Sequence, residues 1–396
     1  MEEETQHKSN KNTQQLTSSF LHSLRGAARD LRINNPIFSL SVTDIQPAAI
    51  AKILKLETES GATTLLSGDP NLFKVSQFLT DLKTLHRDLE KSGGYSLRSI
   101  LRRRIAAYRI YQLAIKIEAE IRVYFDRELI QKLVKTLQLP EGEKEEDEKI
   151  RVLEEFEERL SSGFDREFQE LVLKAKLFSI LESLLCKSDR RPTTRVKEHV
   201  ARAIVGLVRF NKDVFVGLVL MGSTVPALVS MATRCSIQVL TELVSLIRTP
   251  LIDEMELDGQ IPRVVALLGS NSENGDDDRL LPIKTAAFYC VCEIAYHGRK
   301  EVIEAMLEQG LIKKLVELQR SRHGDNFVEA EGTGAGDRPF GSCVAKFAVQ
   351  VEVGEGLSGG ERKELKREMV ERVRDACVSE AEAASILAEV LWGSTP

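Results

Sequence analysis

A chain of 396 residues is too long for one hydrophobic core and fits two or three domains, or one elongated array of repeats. Apolar residues at 42% against 29% charged mark a chain that folds, and 11 prolines with 6% aromatics argue against a sandwich of many short strands. With 55 Lys+Arg against 60 Asp+Glu the net charge is −5, which argues against a general DNA coat and leaves room only for a local basic patch.

The opening MEEETQHKSN is acidic and polar, so no signal peptide is expected, and residues 1–15 read as a disordered N-terminus. Residues 16–140 carry a helical pattern and are expected to form an N-terminal helical bundle. Val75, Phe78, Leu79, Leu82, His86 and Leu89 mark one apolar stripe, which Gly93 and Gly94 break. His86 on that stripe reads as a packing residue, because no cysteine or second histidine stands at metal-ligand spacing. Leu97, Ile100, Leu101, Ile105, Tyr108, Tyr111 and Ile115 mark the next stripe, and the two helices are expected to pack as an antiparallel hairpin.

From Lys91 to Lys116 there is no acidic residue, while Arg98, Arg102, Arg103, Arg104 and Arg109 cluster. The cluster fits a contact to phosphate, anionic lipid or RNA, or a nuclear-localisation patch. The plainer reading is a solvated face whose arginines pair with Glu154, Glu155, Glu157 and Glu158. The run EGEKEEDEK at 141–149 reads as an acidic linker or an exposed helix start.

Val214 to Thr233 carries no charge and has the length of a membrane span. Gly222 and Pro226 interrupt it, so two buried helices meeting at a turn explain it better. Six cysteines (Cys186, Cys235, Cys290, Cys292, Cys343 and Cys377) show no framework spacing, and a reducing cytoplasm or nucleus is expected.

Beyond Pro192 the chain resembles itself. Val196, Val200, Ala203, Ile204, Leu207 and Val208 define a 3.6-residue face. The face recurs as Ile237, Leu240, Leu243, Val244 and Ile247. It recurs again as Ile283, Ala286, Ala287, Cys290, Val291, Ile294 and Ala295, and in a shorter copy as Val344, Phe347, Ala348 and Val351. Three short apolar segments open on glycine: GSTVPALV at 222–229, GQIPRVVALL at 259–268 and GLIKKLVEL at 310–318. The glycines stand 37 and 51 residues apart, while Gly222 to Glu242 spans 20 residues and Gly259 to Glu293 spans 34. Both differences equal 14, so the irregularity lies in one polar insertion at 270–280 and the repeat survives. A second polar insertion is expected at 320–343.

GQIPRVVALL followed by AAFYCVCEIA (286–295) resembles the armadillo repeat. The resemblance covers Arg195 to Val353 most clearly and extends over 150–353, with 354–396 as capping helices. It implies an all-α fold: an N-terminal helical bundle followed by an armadillo-type right-handed α-solenoid, each repeat burying its stripe against its neighbours. A helical N-terminal region before such repeats is also similar to the plant U-box armadillo proteins. No U-box, no CPI and no DPV segment lies between the two parts, so ligase activity does not carry over.

In that family the third helix of each repeat lines a groove, and importin-α-like members place Trp and Asn there four residues apart. The corresponding positions here are Arg202 with Gly206, Gln238 with Glu242, and Tyr289 with Glu293. No Trp/Asn pair occurs, and nuclear-import recognition of that kind is not implied. Glu242 and Glu293 are acceptors only; they fit a basic peptide, or are simply solvated helix residues.

No catalytic motif survives inspection. LSGGE at 357–361 resembles the signature loop of ABC ATPases, but its required partner is missing, since GDRPFGSC at 336–343 has serine in the lysine position. GTGAGD at 332–337 fails the dinucleotide pattern at Asp337. Ser358 with Glu361 fits a helix-capping box instead. The histidines form no HExxH and no triad order, and Cys290 with Cys292 cannot chelate one ion from a single helix. No cofactor, metal or small-molecule substrate is expected. The expectation is a non-catalytic adaptor that presents a groove to a peptide or helix of a partner protein. Its alternatives are an accessory, substrate-recruiting subunit of a ubiquitin ligase, or a tether to an anionic membrane or nucleic acid through the arginine helix.

Overall fold

The computed structural model describes residues 2–33, 47–59, 72–91, 97–139, 143–187, 193–269, 277–321 and 339–392. All secondary structure among them is helical, in nineteen helices. The chain divides into two compact units: Met1–Gln131 with Glu167–Leu171, and Lys132–Arg166 with Val172–Pro396.

The first unit holds α1 (Glu2–Ile33), α2 (Pro47–Glu59), α3 (Phe73–Lys91) and most of α4 (Leu97–Leu137). Residues 2–15, read from sequence as disordered, belong to α1. The core joins Leu21, Leu24 and Ala28 of α1 to Ile50 and Ile53 of α2, Val75, Leu79 and Leu82 of α3, and Ile110, Leu113, Ile117 and Ile121 of α4. The antiparallel hairpin of α3 and α4 is seen in its cross-pairs. Lys74 Nζ lies 2.9 Å from Glu120, and one turn on, Lys116 Nζ stands 5.8 Å above the Phe78 ring.

The apolar stripe assigned to α4 needs correction. Leu97, Leu101, Ile105 and Tyr108 are 86%, 61%, 47% and 54% exposed, and the face that packs is that of Ile110, Leu113, Ile117 and Ile121. At about 100° per residue these two sets lie on opposite sides of the helix, so both show a helical period and only one meets the core.

The second unit is an all-α solenoid. From Glu143 the acidic run belongs to α5 (Glu143–Ser161); α6 (Arg166–Lys174) has its residues Glu167–Leu171 in the first unit, and α7 (Leu177–Cys186) and α8 (Thr194–Phe210) continue the second. Three-helix repeats follow. The first comprises α9 (Lys212–Met221), α10 (Thr224–Met231) and α11 (Arg234–Ile247), and the second α12 (Thr249–Leu257), α13 (Gln260–Leu268) and α14 (Asp277–His297). The third comprises α15 (Lys300–Glu308), α16 (Leu311–Arg320) and α17 (Cys343–Val353), before α18 (Gly359–Ala376) and α19 (Glu380–Trp392).

Like helices stack on like. First helices pack in the order α9, α12, α15; second helices in the order α7, α10, α13, α16; third helices in the order α5, α8, α11, α14, α17, α19. The long α18 touches both α15 and α16, so two helices close the array in place of three. The stripes read from sequence are what these rows bury. On α8 and α11 every stripe residue is buried, and on α14 the six from Ala286 to Ala295 are. The uncharged stretch at 214–233 is α9 and α10, bent by 70°. Among the described residues no single helix is long and apolar enough to cross a membrane.

The joints explain the spacing. Between α10 and α11 only Ala232 and Thr233 intervene; Ala232 takes φ 46°, and the Thr233 hydroxyl accepts from the Ser236 N–H while Ser236 Oγ accepts from the Thr233 N–H. At the same joint of the next repeat stands the insertion expected at 270–280, whose last residues, from Asp277, are helical and belong to α14. Residues 322–338 of the second insertion lie outside the described residues. The capping box expected at Ser358 is present, with the Ser358 N–H donating to Glu361 Oε2 at 2.7 Å.

Candidate functional site

The third helices carry the candidate residues. Arg202 on α8, Gln238 on α11 and Tyr289 on α14 take the same position relative to the apolar stripes of their helices in sequence, and all three are exposed. Their helices are held from behind by fully buried stripes, so none of the three is needed for packing. Tyr289 is 54% exposed, a large aromatic ring standing on a helix whose next residue, Cys290, is completely buried. Lys346 on α17 takes the same position relative to the shorter fourth stripe and is exposed.

The second position of each pair, four residues on, sits lower. Gly206 is half-buried, and a Cβ there would meet Leu160 Cδ1 at 3.0 Å. Glu242 and Glu293 keep 28% and 30% of their side-chain surface. Both meet basic side chains of this chain. Arg209 of α8 contacts Glu242, and His297 Nε2 lies 3.4 Å from Glu293 Oε1. His297 is buried; its Nδ1 lies 3.6 Å from Glu355, which Arg248 Nη1 approaches at 3.1 Å. The His297 partner of Glu293 is an i, i+4 pair and is legible in the sequence. Arg209, Arg248 and Glu355 reach the row only through the stacking of repeats.

Arg202 anchors a second polar cluster. Burial pushes the Glu157 carboxyl of α5 up to about 7, an effect that Arg202 opposes and Glu154 adds to. Burial and the same guanidinium push His199 down, and burial pushes the Cys235 thiol up. His199 Nδ1 stands 3.5 Å from Glu157 Oε1, so near neutral pH this contact is between groups that burial holds toward their uncharged forms.

The arginine cluster stands apart from these groups in the sequence and in its pairing. Arg98, Arg102, Arg104 and Arg109 are exposed on α4 and have no carboxylate partner among the described residues; Arg103 is half-buried. Within the second unit, Glu154 and Glu157 of α5 face His199, and Glu155 accepts from Lys132 at 3.0 Å.

Among the described residues no three His, Cys, Asp or Glu side chains come together to hold a metal ion. All six cysteines are free thiols. Burial pushes Cys290 and Cys343 up to about 12 and Cys292 upward too, which makes them inert packing groups. A cavity of about 500 Å³ lies beside Leu137, Leu139, Lys149, Ile180 and Leu184. Lys149, 2% exposed, lines it and donates to the Leu139 carbonyl at 3.1 Å, just past the C-terminal end of α4.

No family model and no curated protein matches the chain. Among solved structures, an engineered protein gives a TM-score of 0.44 at 17% identity, over 67% of this chain and 97% of that one. Kap121p bound to Ste12p gives 0.44 at 15% identity over 94% of this chain, which spans 34% of the length of that protein. Kap121p bound to Pho4p gives 0.37 at 12% identity, over 87% of this chain and 36% of that one.

Proposed function

We propose that the chain is a non-catalytic scaffold of armadillo type, and that the row of third helices binds an extended segment or a helix of a partner protein. One observation carries the reading. Arg202, Gln238 and Tyr289 stand exposed at one position of the sequence repeat, on three stacked helices that bury their apolar stripes. Such a row offers regularly spaced anchors on a rigid support, and an exposed tyrosine supplies contact area at little conformational cost. The glycine that opens α13 and α16, both in the left-handed region, and the repeating order of three helices support the armadillo assignment.

The partner segment we favour is basic. Glu242 is met by Arg209 in a partly solvated pair worth at most about 1 kcal/mol, and Glu293 by the imidazole of the buried His297. An incoming lysine or arginine therefore competes with Arg209 for Glu242 at small cost.

The test is a photo-crosslinking amino acid placed at Tyr289 and, as a control, at Leu257, which is 83% exposed at the end of the first-row helix α12. In cell extract the probe at 289 should give discrete protein adducts that the probe at 257 does not. Equal adducts at both positions, or adducts at 257 alone, would refute the assignment.

A further inference from the structure

The exposed half of α4 has a use that the solenoid reading leaves unassigned. Leu97, Leu101, Ile105 and Tyr108 fall within an arc of about 80° on the helix. Arg104 borders that arc on one side, and Arg98, Arg109 and Arg102 border it on the other. All four arginines are exposed, and among the described residues nothing neutralises them. Exposure along the stripe is greatest at Leu97, 86%, and stays near half at Ile105 and Tyr108, and the next residues toward the C-terminus on the opposite face are the buried Ile110 and Leu113.

From this geometry we infer that the N-terminal half of α4 docks on the surface of a membrane rich in anionic phospholipid. The apolar stripe enters the boundary between headgroups and acyl chains while the flanking guanidiniums bind phosphate and carboxylate headgroups. A ridge of aliphatic side chains bracketed by cations is what such a surface accepts: burial of Leu97, Leu101 and Ile105 supplies hydrophobic energy, and each arginine adds electrostatic attraction. Tyr108, at the C-terminal end of the stripe, has an apolar ring and a hydroxyl suited to the headgroup level. A nucleic acid would use the arginines and leave the aliphatic stripe in water, which is why charge and apolarity together favour lipid.

The test uses the full chain sedimented with vesicles of phosphatidylcholine alone and of phosphatidylcholine with phosphatidylserine. Binding is expected to the anionic vesicles only, and to fall with added salt. Arg102→Ala with Arg104→Ala should weaken it roughly 25-fold, at roughly fivefold per arginine. Leu101→Asn with Ile105→Asn should abolish it. All four positions are solvent-facing, so circular dichroism should show both variants folded as the parent. Absence of binding to anionic vesicles would overturn the proposal and return the ridge to contact with an acidic protein segment. Binding that survives the asparagine pair would overturn it as well, because attraction would then be electrostatic alone, as for a nucleic acid.

Discussion

Gly222, Gly259 and Gly310 look like one repeated signal, yet the residue answers two different demands. Gly259 and Gly310 take φ of 64° and 72° to start α13 and α16, a region that glycine enters without penalty. Gly222 is extended, at φ −100°, and is required by proximity: Glu182 Oε1 accepts from the Ser223 N–H and the Thr224 hydroxyl, and a Cβ on Gly222 would lie 2.1 Å from that oxygen. Gly356 is more constrained still. Its Cβ would meet the Gly298 carbonyl at 2.1 Å, where the neighbour is backbone and the Glu355 N–H already donates to the Tyr296 carbonyl at 2.7 Å. Gly259→Ala should therefore cost about 1 kcal/mol in urea unfolding, and Gly356→Ala about 3 kcal/mol. Equal costs would mean that the close approach at Gly356 relaxes freely. Glu157 gives a pH signature. Its carboxyl titrates near 7 when folded against an ordinary 4.5, so the folded chain holds a proton between those values that the unfolded chain has released. Stability from this group is therefore lost as pH rises through that window. Glu157→Gln keeps the neutral shape; its thermal midpoint should exceed the parent's at about pH 8, with the advantage shrinking toward about pH 5. A difference independent of pH would show that Glu157 is ionised throughout.

At the scale of elements, periodicity reveals that a helix has an apolar face, but not which face finds a partner. The third helices α8, α11, α14 and α17 are legible because each carries one stripe, and a stripe that recurs in every repeat has neighbours to cover it. The helix α4 carries two stripes on opposite sides. Leu97, Leu101, Ile105 and Tyr108 were as regular as Ile110, Leu113, Ile117 and Ile121, and only the fold of the first unit decides between them. The proposed row rests on the same signal as the repeat: one alignment of stripes gives Arg202, Gln238 and Tyr289 equivalent positions on α8, α11 and α14, and each is exposed. The partners Arg209 and Glu355 were not, because each arrives from another helix or from a linker. Capping is legible at short range. Ser358 and Glu361 share a reciprocal pair of hydrogen bonds at the start of α18, and Ser358→Ala should cost about 1 kcal/mol in chemical denaturation. A cost near zero would mean that the first turn of α18 is held by helix packing rather than by its cap.

For the whole molecule, the two proposals assign separate tasks to separate parts of the sequence. The second unit stacks three rows of helices, and on the third row Arg202, Gln238 and Tyr289 stay exposed. The first unit carries, on α4, an arginine-flanked ridge with no acidic residue between Lys91 and Lys116. A recognition surface on the solenoid and a docking surface on α4 make separate demands, so variants in one should leave the other untouched. The measurement that reaches the central claim most directly is affinity capture from native extract, read by mass spectrometry. It compares the full chain with Gln238→Ala/Tyr289→Ala and with Arg102→Ala/Arg104→Ala. Both pairs alter exposed side chains, so folding should be preserved. The account predicts that the specific protein partners of the parent are lost from the first variant and retained by the second. Retention by the Gln238/Tyr289 variant, with loss from the Arg102/Arg104 variant, would contradict it and place protein recognition on α4.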